Sequence, residues 1–245
     1  MRCVGRALLL LVVIFSVSAA MAADPVREPL RIPVFDIPPY GQDDGSGHPS
    51  GLYVELTRVI ATEAGYTPRI ALVPFARMLA QLNAGAADMS ISFPTDSTTG
   101  TLIALEPIVG VDAIVVPRKG FAASARRDFA NRKIGRIRGG CIDMSNSVDA
   151  PVELFELNSF TEGLRLLALG RIDGLCLTRE VYRYYLQKDH RSASEFGEPV
   201  LINHRDAWLF LRADAPSQMQ QSLRNAVRTL KRRKVVDGVI NRYIH

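Results

Sequence analysis

The sequence predicts an α/β protein of two lobes with a ligand cleft between them. The main observation is a repeated pattern. In residues 75–92 (FARMLAQLNAGAADMSIS), Phe75, Leu79 and Leu82 fall at i, i+4 and i+7, one face of a helix. Gly85 ends that helix, Asp88 follows, and residues 89–92 alternate like a short strand. Residues 160–177 (FTEGLRLLALGRIDGLCL) repeat the unit, with Phe160, Leu164, Leu167, Gly170 and Asp173 at the same relative positions. Helix–strand units of any α/β protein share part of this pattern, but here every matched position keeps one common offset. Two copies imply two lobes, and small ligands bind in clefts between domains.

The 245 residues suit one large or two small α/β domains, and 47% hydrophobic content supports an ordinary core. The first 22 residues stand apart. Arg2 and Arg6 precede an apolar run at 7–17 (ALLLLVVIFSV), and small residues lead to Ala22. This is the pattern of an export signal cleaved after Ala22; the run falls short of the ~20 residues a spanning helix needs. A periplasmic location is therefore expected. Loss of Arg2 and Arg6 lowers the formal charge from +5 to +3. That gives no case for nucleic acid, which wants a clustered basic face with stacking aromatics. The basic run Lys231-Arg232-Arg233-Lys234 reads as the solvated end of a helix, where it complements the dipole. Cys141 and Cys176 remain after cleavage, either as a disulfide or as two buried thiols; their spacing fits no metal site.

Further elements follow in order. Residues 30–35 read as a strand, and Pro38-Pro39-Tyr40-Gly41 as a turn, since consecutive prolines continue neither helix nor paired strand. After a polar loop, residues 52–64 form a helix stopped by Gly65, and 69–74 a second strand. Residues 108–117 form a long crossover strand, 118–131 a surface segment and 133–138 another strand. Residues 180–187 are helical, 207–211 a returning strand, and Ser217 caps a last helix whose inner face carries Leu223, Val227 and Leu230.

The order of these pieces resembles the periplasmic amino-acid-type binding proteins, extracellular solute-binding family 3. The matching pieces are 30–32 through Pro38-Pro39-Tyr40, Gly51-Leu52, Ala84-Gly85-Ala86-Ala87-Asp88 with Thr95, the stretch 128–135, Leu169-Gly170-Arg171-Ile172-Asp173, and 223–244. The resemblance implies a type II periplasmic-binding-protein fold, each lobe a mixed sheet flanked by helices. It places lobe 1 at 23–116 and 206–245 and lobe 2 at 117–205, with hinges near 115–117 and 202–205. It also implies a small-molecule solute, an ABC transporter permease as partner, a monomer, and no cofactor.

The departures from the family pattern concern the ligand. Members that hold α-amino acids carry an Arg three residues after the Thr matching Thr95; here that position is Thr98. They carry an acidic residue after the second repeat strand; here Thr178 stands nearest, with Arg179 and Glu180 beside it. A desolvated zwitterion needs both partners. An ordinary α-amino acid is therefore disfavoured, and a small polar, anionic solute is expected.

Other candidates come from position. Tyr40 follows a rigid turn at a strand end, where α/β sheets place ligands, although a packing aromatic would look the same. Phe75 and Arg77 stand at the start of a helix, and the aromatic-x-Arg pattern resembles a branch of the family. Arg would give bidentate recognition of an acid. Ser92, Phe93 and Thr95 follow a strand into the cleft mouth or into a solvated loop. Arg138, Gly140 and Cys141 could present backbone N–H groups to an anion, or make only a tight turn. Asp88 and Asp173 share a context that makes them turn-capping rather than catalytic. His48, His190, His204 and His245 are scattered, and no hydrolase, zinc, P-loop or dinucleotide motif occurs. The expectation is a binding protein that performs no chemistry. The alternatives are a dehydratase-like enzyme using Glu180, or an accessory or sensor protein.

Overall fold

The structure is a computed structural model that describes residues 28–94, 98, 100–145 and 151–244. The export signal and Thr95 lie outside the described residues. The elements are β1 (Leu30–Phe35), β2 (Gln42–Asp43), β3 (Pro49–Ser50), α1 (Leu52–Glu63), β4 (Pro68–Val73), α2 (Phe75–Asn83), β5 (Met89–Ser92) and β6 (Ile103–Pro117). Then come β7 (Lys133–Ile137), α3 (Ile142–Ser145), β8 (Glu153–Leu157), α4 (Phe160–Ala168), β9 (Gly174–Thr178), α5 (Arg179–Lys188), β10 (Val200–Leu211), α6 (Ser217–Arg232) and α7 (Val235–Ile244).

The chain folds into two α/β lobes. One gathers β1 and β4, which pair in parallel, with β5, α1, α2, α6 and α7. Its core closes where α1, with Leu56 and Ile60 buried, packs against α6, whose buried face carries Leu223, Val227 and Leu230. The other lobe holds β7, β8 and β9 under α4 and α5. A six-stranded sheet in the order β5-β10-β6-β9-β7-β8 runs through both. Two long antiparallel strands, β6 and β10, join the lobes. β10 meets β5 at Trp208–Leu211 in the first lobe, and β6 meets β9 at Ala113–Pro117 in the second.

Both repeat units end alike. Gly85 and Gly170 adopt left-handed φ values of 67° and 64°, which glycine tolerates without strain. Asp88 and Asp173 do not cap their own turns, as the sequence suggested. Each clamps a neighbouring strand instead. The Arg31 N–H donates to Asp88 Oδ2 at 2.8 Å while the Asp88 N–H donates to the Arg31 carbonyl at 2.9 Å. Lys133 and Asp173 reproduce the exchange at 3.1 and 2.8 Å.

Other departures from expectation have local causes. β6 begins at Ile103 rather than 108: Pro107, which lacks a ladder donor, sits opposite Trp208 at a register irregularity. β10 begins at Val200 rather than 207, because polar Asn203-His204-Arg205-Asp206 crosses between the lobes, where no apolar alternation is needed. β8 lies in a stretch that the sequence left unassigned. Pro216, not Ser217, occupies the N-cap of α6 and makes no side-chain cap bond. Lys234, at φ 57°, follows the end of α6 and separates it from α7.

Candidate functional site

A cleft between the lobes encloses about 120 Å³ of water-accessible space. Its first-lobe wall is aromatic. Phe35 packs edge-on against Tyr40, Phe75 and Tyr53 at centroid distances of 5.6, 5.2 and 5.4 Å, and Phe93 closes the group 6.3 Å from Tyr40. The turn that presents Tyr40 is fixed from below. Gly51, at φ 114°, lets the backbone approach so closely that a Cβ would stand 2.7 Å from the Tyr40 carbonyl. The Leu52 and Tyr53 N–H groups, opening α1, donate to the Pro39 and Tyr40 carbonyls. The first turn of the helix thus holds the turn by its own otherwise unpartnered donors.

The second-lobe wall is built around a disulfide. Cys141 and Cys176 are joined, with Cα atoms 6.0 Å apart, and the bridge ties residues 139–143 to β9 beside the cleft. Phe160, Ile137, Ile142, Leu177 and Val181 complete an apolar surface. Thr178 accepts a hydrogen bond from the Val181 N–H, capping α5, and shares another with the Tyr40 hydroxyl at 2.8 Å. The Tyr40 hydroxyl also donates to Glu180 at 3.1 Å. Burial, with the neighbouring Tyr53 and Glu180, pushes the Tyr40 phenol well above its ordinary value, so it remains a donor. A second bond between lobes runs from the Tyr184 hydroxyl to Gln42 at 3.0 Å.

The structure brings Tyr40, Phe75, Phe93, Gly140, Cys141 and Thr178 to the cleft wall. It does not bring Arg77, Ser92, Thr98 or Arg138 there. Arg77 is exposed on the outer face of α2, because Phe75 and Met78 take its buried face. Arg138 is exposed and pairs with Glu156 at 2.8 Å, so its charge is engaged at the surface. Ser92 is buried within the sheet, paired with Trp208 of β10, and Thr98 is fully buried with its hydroxyl donating to the Phe93 carbonyl at 3.4 Å. Arg179 turns to Asp112 of β6 at 3.0 Å. Among the described residues, the charged ones that do line the cleft, Arg205 and Asp143, were missed. Neither stands in a motif, since they lie 62 residues apart and meet only through the fold.

Residues 34–244 match the family model of the bacterial extracellular solute-binding proteins, family 3. The chain belongs to this family. No curated protein matches the sequence. Among solved structures, an ancestral arginine-binding protein bound to arginine is 19% identical with a TM-score of 0.76, covering 90% of this chain and 100% of that one. A histidine kinase sensor domain with similarity to periplasmic binding proteins is 21% identical at 0.76, covering 91% and 98%. An ancestral amino acid-binding protein, a precursor of cyclohexadienyl dehydratase, is 16% identical at 0.73, covering 89% and 96%. These likenesses identify the type II periplasmic-binding-protein fold. Among the described residues, no helix is long and apolar enough to cross a membrane.

Proposed function

We propose that this family member is a monomeric periplasmic protein that captures a small carboxylate-bearing solute with an apolar body and passes it to an ABC permease. The observation that carries the reading is a cleft walled by Phe35, Tyr40, Phe75, Phe93 and Phe160, with Arg205 as its cationic group. Rings of this kind favour an apolar body, and the partly buried Arg205 guanidinium, which pairs with Asp143 inside the cleft wall, can exchange that partner for a planar anion. The anionic expectation thus moves from Arg77 and Arg138 to Arg205.

Closure would use the ribbon where β6 and β10 pair only with each other. Asp112, Val111, Gly110 and Val109 face His204, Arg205, Asp206 and Ala207 there. We place the lobe boundary at this ribbon rather than at 115–117. Val115 and Val116 are fully buried, and residues 113–117 are already paired with β9. A two-stranded ribbon bends more easily than the centre of a sheet, and hinge residues absorb the change.

Thermal melting of residues 23–245 with amino acids, organic acids, amines, polyamines and sugars tests the reading. A ligand at a hundred times its Kd adds about 2.7 kcal/mol, a shift of several degrees. A shift with carboxylate-bearing, apolar solutes is expected; a shift only with sugars or polyamines, or with none of the panel, overturns it. The dehydratase reading would need Glu180 free for proton transfer. Its carboxylate instead accepts from Tyr40 and is not among the cleft-lining groups, which favours binding over catalysis. Turnover of a cyclohexadienyl acid that Glu180→Gln abolishes would reverse that preference.

A further inference from the structure

At the pole of the second lobe opposite the cleft, β6 ends and β7, β8 and β9 begin. Pro117 pairs there with Gly174, and Lys133 with Glu153. The connection that crosses this pole, residues 118–133 (RKGFAASARRDFANRK), holds six basic residues and one acid. Two of the bases are neutralised in place: Arg118 meets Asp173 at 3.1 Å and Lys133 meets Glu153 at 3.4 Å. Among the described residues, Lys119, Arg126, Arg127 and Arg132 have no carboxylate partner, and Arg126 Nε is buried without a hydrogen bond.

The acids nearby are mostly engaged. Asp128 accepts from the Ser124 and Ala125 N–H groups at 2.8 and 2.9 Å, which pins the turn at Arg126–Phe129. Glu195, which feels the Lys119 charge, is bonded to Arg191 at 2.6 Å. Glu198 is exposed and has no ion pair among the described residues. Four free bases thus stand against one free acid. The aromatic residue among them is not open for stacking. The guanidinium groups of Arg132 and Arg118 lie 5.0 and 6.0 Å from the Phe121 ring centroid, and Phe129 packs against the ring at 5.6 Å. Such a face suits a layer of phosphates, whereas single-stranded nucleic acid needs bare rings.

We infer that this pole is a docking surface for a bilayer rich in anionic phospholipid, with Lys119, Arg126, Arg127 and Arg132 on the lipid phosphates. The inference goes beyond the solute-binding reading and shares with it only the periplasmic location, a compartment bounded by phospholipid. Docking by the far pole leaves the space between the lobes uncovered. Each base at such a surface strengthens binding about fivefold, so a net excess of three gives half-binding at about 6 mM accessible lipid.

Co-sedimentation of residues 23–245 with sucrose-loaded vesicles tests this, using phosphatidylglycerol mixed equally with phosphatidylcholine, or phosphatidylcholine alone. Half-binding to the anionic vesicles is expected at millimolar lipid in about 0.05 M salt, with release at about 0.5 M and no sedimentation with phosphatidylcholine. The triple variant Lys119→Gln, Arg127→Gln, Arg132→Gln should bind about 100-fold more weakly. The triple variant Arg58→Gln, Arg69→Gln, Arg77→Gln removes as many exposed charges from the first lobe and should stay within about threefold of the parent. Melting curves separate lost docking from lost folding, and Arg127→Gln alone, expected to weaken binding about fivefold, carries the test if the triple variant does not fold. No sedimentation with anionic vesicles, equal sedimentation with phosphatidylcholine, or equal losses in the two triple variants overturns the docking surface. None of these results bears on the cleft, whose reading is decided by the solute panel.

Discussion

The two repeat units share a scaffold and differ at the wall they present to the cleft. In both, an amphipathic helix ends at a left-handed glycine, and an aspartate exchanges paired hydrogen bonds with a strand far away in sequence. The first unit surrounds its aspartate more closely. Asp88 is 9% exposed at its side chain and meets Arg31 at 2.8 Å and Arg212 at 3.2 Å; Asp173 is 24% exposed and meets Arg118 at 3.1 Å. The second unit carries devices not found among the described residues of the first: the disulfide through Cys176, the Ser159 cap on α4, and the Thr178 cap on α5. The repeat therefore holds each lobe together, and the departures from it shape the cleft.

The largest expected effect breaks the symmetry at the disulfide. Replacing Cys141 and Cys176 with serine should cost about 4 kcal/mol, since the bridge closes a 35-residue separation. Urea unfolding with and without reductant measures this, and reductant should have no further effect on the double-serine protein. Next comes Asp88→Ala, expected to cost about 3 kcal/mol by leaving Arg31 and Arg212 without their carboxylate. Asp173→Ala should cost about half as much because its pair is more exposed to water. Equal losses in urea midpoints would show that burial does not distinguish the two clamps.

Acid unfolding sharpens the same contrast. Burial would raise the Asp88 carboxyl, but the hydrogen bonds and charge of Arg31, with Arg212, hold it below the ordinary 3.8. Asp173 is lowered too: burial opposes the change, while the Lys133 N–H and Arg118 outweigh it. A carboxyl lowered on folding stabilises above its unfolded pKa, and that stability is lost as pH falls through the folded one. Stability should thus decline below about pH 4. Asp88→Asn should flatten that decline more than Asp173→Asn, as read from urea midpoints between pH 5 and pH 2. The smallest effect is at the helix starts. Ser159 accepts from the Glu162 N–H, so Ser159→Ala should cost about 1 kcal/mol. Pro74, at the matching place before α2, makes no side-chain bond, and Pro74→Ala should leave that interaction term unchanged.

Much of the scaffold was legible because local rules wrote it. The helical faces of 75–83 and 160–168 each follow from one segment burying one face, and the apolar run at 30–35 from a strand buried on both faces, with Arg31 exposed. The long strands were shortened in the reading because Pro107 and the polar run at 203–206 break the alternation. Partner strands, not propensity, carry them through. The site was legible only in part. Tyr40, Phe75 and Thr178 could be chosen because each ends or begins an element that points toward a cleft. Arg77 and Arg138 could be chosen by the same logic, yet they face outward, since a one-residue step along a helix or turn redirects a side chain.

By itself the sequence determined the two-copy architecture, the helix–glycine–aspartate–strand units and the family, all of which depend on patterns within short windows or on their order. Tertiary structure alone decided which charged residues, among those described, line the cleft. Arg205 and Asp143 become neighbours only when β10 crosses between the lobes and the disulfide holds the 139–143 segment against β9. No local window contains both, because a cleft between lobes is made by contacts distant in sequence.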